Sequence, residues 1–144
     1  MKNLIGNLST YLAAGILMAF GMIYLLRSSF MPYHSEAISL KWEAVEPATQ
    51  ILLLALMRAT SGGFICLAFA IAFLQYKFAA TKISWIPGLI LVLGTISMLC
   101  SACATILIIL KTPGNPPLNA VITGEIFIII GFVFNRKFRF KADK

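Results

Sequence analysis

The chain has 144 residues, of which 60% are hydrophobic and 12% are charged, and its formal net charge is +7. An average soluble domain has about 25% charged residues, so this composition excludes an ordinary soluble globule, a disordered chain and a fibre. It is typical of an integral membrane protein, and the length accommodates about four helical spans of ~20 residues each.

We therefore predict an all-α fold, a four-helix transmembrane bundle with short loops, in which residues 1–144 form a single domain. The apolar runs cover about residues 8–26, 48–76, 85–110 and 118–134. Pro47 stands at a favourable first position for the second helix. The segment 111–117, Lys-Thr-Pro-Gly-Asn-Pro-Pro, is predicted to be a rigid turn because proline is not accommodated inside a helix.

The loop of residues 27–47 joins the first and second spans and is the longest connection. Within it Ile38, Trp42 and Val45 recur at the spacing of one helix face. This pattern predicts a short interfacial helix that lies on the membrane surface and is anchored by Trp42. The alternative is a partly ordered loop, with Trp42 and Tyr33 in the aromatic belt of the membrane interface.

Basic residues are distributed unequally between the two ends of the predicted bundle. One end has three of them, Arg27, Lys41 and Lys111, and the other has eight, Lys2, Lys77, Lys82, Arg136, Lys137, Arg139, Lys141 and Lys144. The positive-inside rule then places both termini, with the basic tail 135–144, in the cytoplasm. We expect membrane lipids as partners and no nucleic acid, because no basic helix face with interleaved aromatic residues is present.

Two ionisable residues fall inside apolar runs, Arg58 in the second span and Glu125 in the fourth. At 1.5 Å per residue, Arg58 lies ~15 Å and Glu125 ~10 Å from the outer ends of their helices, so the two are predicted at comparable depth. A lone charge at the bilayer centre costs about 2.5–3.5 kcal/mol on insertion scales. Because arginine stays protonated, we expect an Arg58–Glu125 ion pair; burial of a neutral Glu125 is the other solution.

Two interpretations of this expected pair stay open. As a structural feature, it fixes the register of the bundle. As a functional feature, it forms a polar pocket for an anionic or polar ligand group, or a proton site. Gln50 and Ser61, about two turns before and one turn after Arg58, are candidates for the same centre, and Gly62 and Gly63 leave room for a neighbouring helix or a ligand.

All three cysteines lie in apolar runs, and two of them, Cys100 and Cys103, have the C-x-x-C spacing. On a helix this spacing puts both sulfurs on one face, where a nearby arginine lowers the pKa of a thiol. The pair therefore supports an alternative function, a membrane thiol–quinone oxidoreductase. The other interpretation is close helix packing, in which cysteine serves as a small buried residue.

Three residues of the first loop are further candidates. His34 is expected to be exposed and to titrate near neutral pH, and it would contribute if the loop folds over the entrance beside Arg58. Trp42 would anchor the loop, while Glu46 lies at the mouth of the second helix, where a negative charge also compensates the helix N-terminus. The single histidine lies far from the cysteines, so we expect no metal and no cofactor.

A longer pattern combines Met31-Pro-Tyr-His34, Trp42, the run from Gln50 to Arg58, Ser61-Gly62-Gly63 and Glu125. It resembles the pattern of small bacterial four-helix inner-membrane proteins of unknown function, in which an arginine precedes a Gly-Gly pair in the second helix and a glutamate lies in the last. The resemblance extends over the four-helix layout. It implies a bacterial inner-membrane protein, and it implies no activity.

Together these observations favour a small, non-enzymatic, multi-pass protein of the bacterial inner membrane. It is expected to bind a lipid-like or small amphiphilic ligand, or partner helices, around the Arg58–Glu125 centre, as a homo-oligomer or within a larger membrane complex. A thiol–quinone oxidoreductase using Cys100 and Cys103 is one alternative. A proton-coupled small transporter subunit with Glu125 as the proton carrier is the other.

Overall fold

The fold consists of helices and their connections over residues 2–136, the part of the chain that the computed structural model describes. There are five α-helices: α1 (Lys2–Leu26), α2 (Pro32–Ile38), α3 (Pro47–Thr81), α4 (Ile86–Lys111) and α5 (Leu118–Arg136). The four long helices, all but α2, are long and apolar enough to cross a membrane. The predicted all-α four-helix bundle is confirmed.

The bounds of three spans differ from the sequence-based prediction. α1 begins at Lys2, six residues before the predicted start. α3 continues to Thr81, five residues past the predicted end, and stops where Lys82 adopts a left-handed backbone conformation. α5 continues to Arg136, so Asn135 belongs to the helix and not to the basic tail. The tail residues Lys137, Arg139, Lys141 and Lys144 lie outside the described residues.

The first loop is ordered, but it does not form the predicted single amphipathic helix. α2 ends at Ile38 and is followed by Ser39, whose φ of 54° is left-handed, and a short 3-10 helix follows at Trp42–Ala44. The left-handed residue interrupts the helical spacing that would put Ile38 and Trp42 on one face. The loop therefore folds as two short helices joined by a tight bend.

The long helices form a ring in which α1 packs against α3 and α5, and α4 packs against α5 and, less extensively, against α3. α3 and α5 consequently lie diagonally across the bundle. The main core consists of apolar side chains from all four long helices: Ala13, Ala14, Leu17, Ala68, Ile71, Phe78, Ile86, Ile90, Met98 and Ile128. Outward-facing side chains are largely apolar, as expected for helices that face lipid.

Glycines set the closest contacts between the helices. A Cβ atom at Gly94 would lie 2.7 Å from Cδ1 of Ile128, and one at Gly21 would lie 2.6 Å from Cγ1 of Ile65. Small residues at such positions let helix backbones approach, which is a main source of association between helices in lipid.

Three amide side chains connect α1, α3 and α5 at the end of the bundle opposite α2. Gln75 Nε2 donates to Asn7 Oδ1 at 2.7 Å, and Asn135 Nδ2 donates to Gln75 Oε1 at 3.1 Å. Gln75 is 0% exposed and Asn135 is 2% exposed. Hydrogen bonds satisfy most of these buried polar atoms and fix three helices at a common level.

Candidate functional site

Arg58 and Glu125 do not form the expected ion pair. The Gln75–Asn135 hydrogen bond sets a common level for α3 and α5. From that level Arg58 lies about 25 Å along α3, whereas Glu125 lies about 15 Å along α5, at 1.5 Å per residue. The two depths differ because the first part of α3 extends beyond the level at which α5 begins, so distance from each helix start was the wrong measure.

Arg58 lies on the outer surface of α3, near the end of the bundle that carries α2. Its side chain is exposed, and none of the described residues forms an ion pair or hydrogen bond with its guanidinium. A long basic side chain near a helix end keeps its stem in apolar surroundings while its charge reaches the headgroups.

Glu125 is half-buried between α4 and α5. Its Oε1 accepts a hydrogen bond from the Thr95 hydroxyl at 2.9 Å, and its Oε2 is buried with no hydrogen-bond partner among residues 2–136. The carboxyl group thus faces α4 and does not join a polar centre with α3. Its role as a proton carrier stays a prediction.

The residues expected to surround Arg58 have other partners. Gln50 Nε2 donates to the backbone oxygens of Trp42 at 2.8 Å and Val45 at 3.1 Å, which ties α3 to the first loop. The Ser61 hydroxyl donates to the backbone oxygen of Arg58 at 2.6 Å, within the same helix. Both side chains therefore have hydrogen-bond partners within the protein, and a role in ligand binding stays a prediction for them.

Glu46 is the N-cap of α3. Its carboxylate accepts hydrogen bonds from the backbone N–H of Thr49 at 3.2 Å and from the Thr49 hydroxyl at 3.0 Å. These hydrogen bonds lower the pKa of Glu46. The compensating role of a negative charge at the helix start agrees with this geometry.

A cavity of about 410 Å³ lies between the long helices at the end of the bundle covered by α2. Its wall includes Phe20 and Tyr24 of α1, Phe64 of α3 and Val121 of α5, and residues of α4 and of the first loop complete it. The described residues that line it include no Asp, Glu, Lys or Arg. Its volume falls within the range of small-molecule sites.

Four lining residues are exposed at the surface of the protein. Pro117 lies in the α4–α5 turn, and the other three flank the gap between α3 and α4: Thr60 on α3, and Cys100 and Ala104 on α4. The cavity therefore reaches the surface between α3 and α4, the adjacent pair that packs least extensively. This opening lies on the side of the bundle, between two helices of membrane-spanning length.

Tyr33 and His34 of α2 form part of the roof of the cavity. The Tyr33 and Tyr24 hydroxyls are hydrogen-bonded to each other, and the rings of Tyr33 and His34 meet edge to face with centroids 4.3 Å apart. Burial, with the Tyr24 hydroxyl as a second cause, raises the pKa of Tyr33, so its phenol stays protonated. Tyr33 is thereby a permanent hydroxyl group in the cavity wall.

His34 is half-buried, which corrects the expectation of an exposed loop histidine. Its Nδ1 accepts a hydrogen bond from the Met31 backbone N–H at 3.3 Å, so the neutral ring carries its proton on Nε2. Burial lowers the pKa of His34 below the ordinary value of a histidine, 6.5. The imidazole is therefore neutral at physiological pH.

Trp42 is connected to α2 through Phe30. Its ring packs edge to face on Phe30 with centroids 4.9 Å apart, and Phe30 in turn contacts the His34 ring at 6.3 Å. Trp42 is half-buried in a second apolar cluster with Phe30 and Val45. This places the residue within the folded loop, where it positions α2.

The turn between α4 and α5 holds α2 in place. The Asn115 backbone N–H donates to Glu36 Oε2 at 3.2 Å. At Gly114, a Cβ atom would lie 2.6 Å from the Tyr33 backbone oxygen and 2.9 Å from the Ala37 Cβ. Only glycine fits this contact without displacing the backbone of α2.

One stripe of α4 presents hydroxyl groups to the cavity. Ser97, Ser101 and Thr105 follow each other at intervals of four residues, and all three line the cavity. Their hydroxyls make no hydrogen bond to any described residue. Most helical hydroxyls elsewhere in the protein donate to a backbone oxygen of their own helix, as Thr60 does to Leu56 at 2.9 Å. The three are therefore free to bind a ligand.

The two C-x-x-C cysteines have different surroundings. Cys100 lines the cavity at its side opening, whereas Cys103 is exposed on the outer face of α4 and does not line it. Both are free thiols. Close helix packing is the wrong interpretation for these two positions because both side chains are exposed.

Neither the cavity nor the cluster of amide side chains, Asn7, Gln75 and Asn135, was predicted from the sequence. Ser97 and Ser101 give no distinct signal, because a hydroxyl that faces a cavity has the same sequence signature as one at a tight helix contact. Gln75 lies inside an apolar run, and a polar residue at such a position could have indicated a buried polar cluster.

No family model, curated protein or solved structure matches this chain. The interpretation of the site therefore depends on its own geometry and chemistry.

Proposed function

We propose that this protein is a multi-pass membrane protein that binds a neutral amphiphile, taken up from the bilayer through the gap between α3 and α4. The ligand's polar end lies beneath α2, and its apolar part passes through the side opening toward the lipid. The ligand class is the one expected from the sequence, a small amphiphile. The proposed binding site, however, is this cavity and not a centre formed by Arg58 and Glu125.

The observation that carries the proposal is the exposure of the cavity-lining residues Thr60, Cys100 and Ala104 at the bundle surface. The lining is mainly apolar, and its polar groups are hydroxyls and a neutral imidazole. Such a lining favours a neutral ligand, because a charged group would enter an apolar site with no described counter-charge.

We propose further that the protein lies in a bacterial inner membrane with both termini in the cytoplasm. Lys77, Lys82 and Arg136 lie at the end opposite α2, where by sequence the tail adds further basic residues. The loops at the α2 end have fewer basic residues, Arg27, Lys41 and Lys111. This charge distribution favours an extracytoplasmic α2, so the cavity would draw on the outer leaflet.

Photolabelling with decanol that carries a diazirine on its chain tests the proposal. In membranes, labelled peptides should include the α4 segment that lines the cavity. Ala104→Trp places a large side chain in the opening, so we expect labelling to fall by at least about tenfold. A tenfold loss of affinity corresponds to a loss of ~1.4 kcal/mol of binding free energy. Leu107→Trp is the matched control, because Leu107 is 60% exposed on the same helix and does not line the cavity.

Equal labelling of both tryptophan variants and the unmodified protein would contradict the proposal. So would labelling confined to the outward faces of the helices. Circular dichroism of each variant in detergent checks that the helices are retained.

A second candidate, the thiol–quinone oxidoreductase, is favoured by one observation, the position of Cys100 in the cavity wall. In that reaction the Cys100 and Cys103 thiols form a disulfide, and the two electrons and two protons released reduce a quinone to a quinol. It predicts quinol formation that stops in Cys103→Ser. Amphiphile binding alone predicts that Cys103→Ser behaves as the unmodified protein.

A further inference from the structure

We infer that the polar end of the ligand is a quinone ring, and that the Tyr24–Tyr33 hydroxyl pair donates the hydrogen bond that holds one of its carbonyl oxygens. The inference depends on the proposed function, since it names the class of molecule that the same cavity binds. It assigns the binding role to two tyrosines and to the hydroxyl stripe of α4.

The Tyr24–Tyr33 pair contains two O–H groups, and only one of them donates in the hydrogen bond between the two hydroxyls. Two hydroxyls share a single hydrogen bond, so one donates and the other keeps its own O–H. No described residue accepts this second proton. Either hydroxyl can be the donor in the pair, so the free O–H belongs to Tyr33, which is 9% exposed, or to the half-buried Tyr24. A donor that is shielded from water and has no acceptor is costly. A ligand that offers an acceptor oxygen at this point removes that cost.

The rest of the cavity suits a flat ring with oxygens on opposite sides. Aromatic rings contribute much of the lining, and they come from Phe20, Tyr24, Tyr33, His34 and Phe64. Planar rings pack well against such side chains in stacked or edge-to-face arrangements. The free hydroxyls of Ser97, Ser101 and Thr105 extend over about 12 Å of α4, at 1.5 Å per residue, and can donate to a second carbonyl.

Charge and access favour a quinone over other lipids of the bilayer. The described lining residues carry no cationic group, so a phosphate headgroup would enter without a counter-charge. A glyceride has ester carbonyls but no ring for the aromatic lining. The apolar chain of a quinone fits the side opening between α3 and α4, where the cavity meets the lipid.

Competition against the photoreactive decanol provides the test. Three competitors share a ten-carbon chain: a decyl-substituted 1,4-benzoquinone, decylbenzene and monodecanoylglycerol. We expect the quinone to compete with at least about tenfold higher affinity than the other two. Tyr33→Phe and Tyr24→Phe should each remove about this advantage, while Tyr11→Phe, a matched change at an exposed position of α1, should leave it unchanged.

Each outcome bears on one of the two proposals. If decanol labels the cavity but the three competitors are equivalent, the quinone inference is overturned and the proposed function stands. Preferential competition by monodecanoylglycerol also overturns it. If the Tyr33→Phe protein does not fold, Tyr24→Phe and Ser101→Ala carry the test, and a full quinone advantage in both contradicts the inference. If decanol does not label the cavity at all, the proposed function itself fails.

Discussion

His34 couples the roof of the cavity to pH. Its imidazole packs between Tyr33 and Phe30, and burial there lowers its pKa below the ordinary value of a histidine, 6.5. As the pH falls through about 6.5, the unfolded chain binds the proton before the folded protein does, so the folded state loses stability. The roof is therefore expected to be less stable in acid.

We predict that the melting temperature in detergent falls between pH 7.5 and pH 5.5, and that His34→Asn reduces this dependence. Asparagine keeps an acceptor for the Met31 backbone N–H but does not titrate. Glu46 does not interfere, because its pKa is lowered from 4.5 and its contribution is lost only in stronger acid. A slope that is the same in both proteins would contradict the assignment to His34.

At the scale of elements, the position of α2 depends on its contact with the α4–α5 turn. Gly114 lies against the Tyr33 backbone, which cannot move aside as a flexible side chain does. Gly62 is the opposite case, since a Cβ atom there has nothing within 4 Å. The two glycines thus offer a matched pair of substitutions with opposite expected signs.

Gly114→Ala should displace α2, weaken decanol labelling and lower the melting temperature, with a cost of about 1–3 kcal/mol, as for overpacking elsewhere. Gly62→Ala should leave labelling unchanged and raise stability by up to about 1 kcal/mol through helix propensity. Thermal unfolding and labelling of the two proteins side by side test this. Unchanged labelling in Gly114→Ala would show that α2 does not form a functional roof.

The four long helices were largely predictable from the sequence. Their relative positions along the bundle axis were not. Apolar runs of sufficient length identify four membrane-spanning helices, because hydrophobic length is the property that a bilayer requires. The sequence does not show that α3 extends farther outward than α5, and the expected Arg58–Glu125 pair depended on that height. Which side of α4 faces a cavity is likewise a tertiary property, so Ser97 and Ser101 could not be distinguished from packing residues.

At the scale of the whole molecule, the two ends of the bundle differ in structure. At one end the Gln75 cluster ties three helices together, and at the other the helices enclose the cavity under α2. A bundle held firmly at one end and open at the side near the other is suited to admit a membrane-soluble ligand. Closing the side opening would not require the end that carries the Gln75 cluster to move.

Protection of Cys100 from alkylation tests this account most directly. Two proteins are compared in membranes, one that retains only Cys100 and one that retains only Cys103, both treated with a membrane-permeant maleimide. At a decanol concentration of about ten times its Kd, alkylation of Cys100 should slow by about tenfold, in proportion to occupancy, and that of Cys103 should not change. If decanol leaves Cys100 unprotected, or slows both cysteines equally, the cavity does not bind an amphiphile.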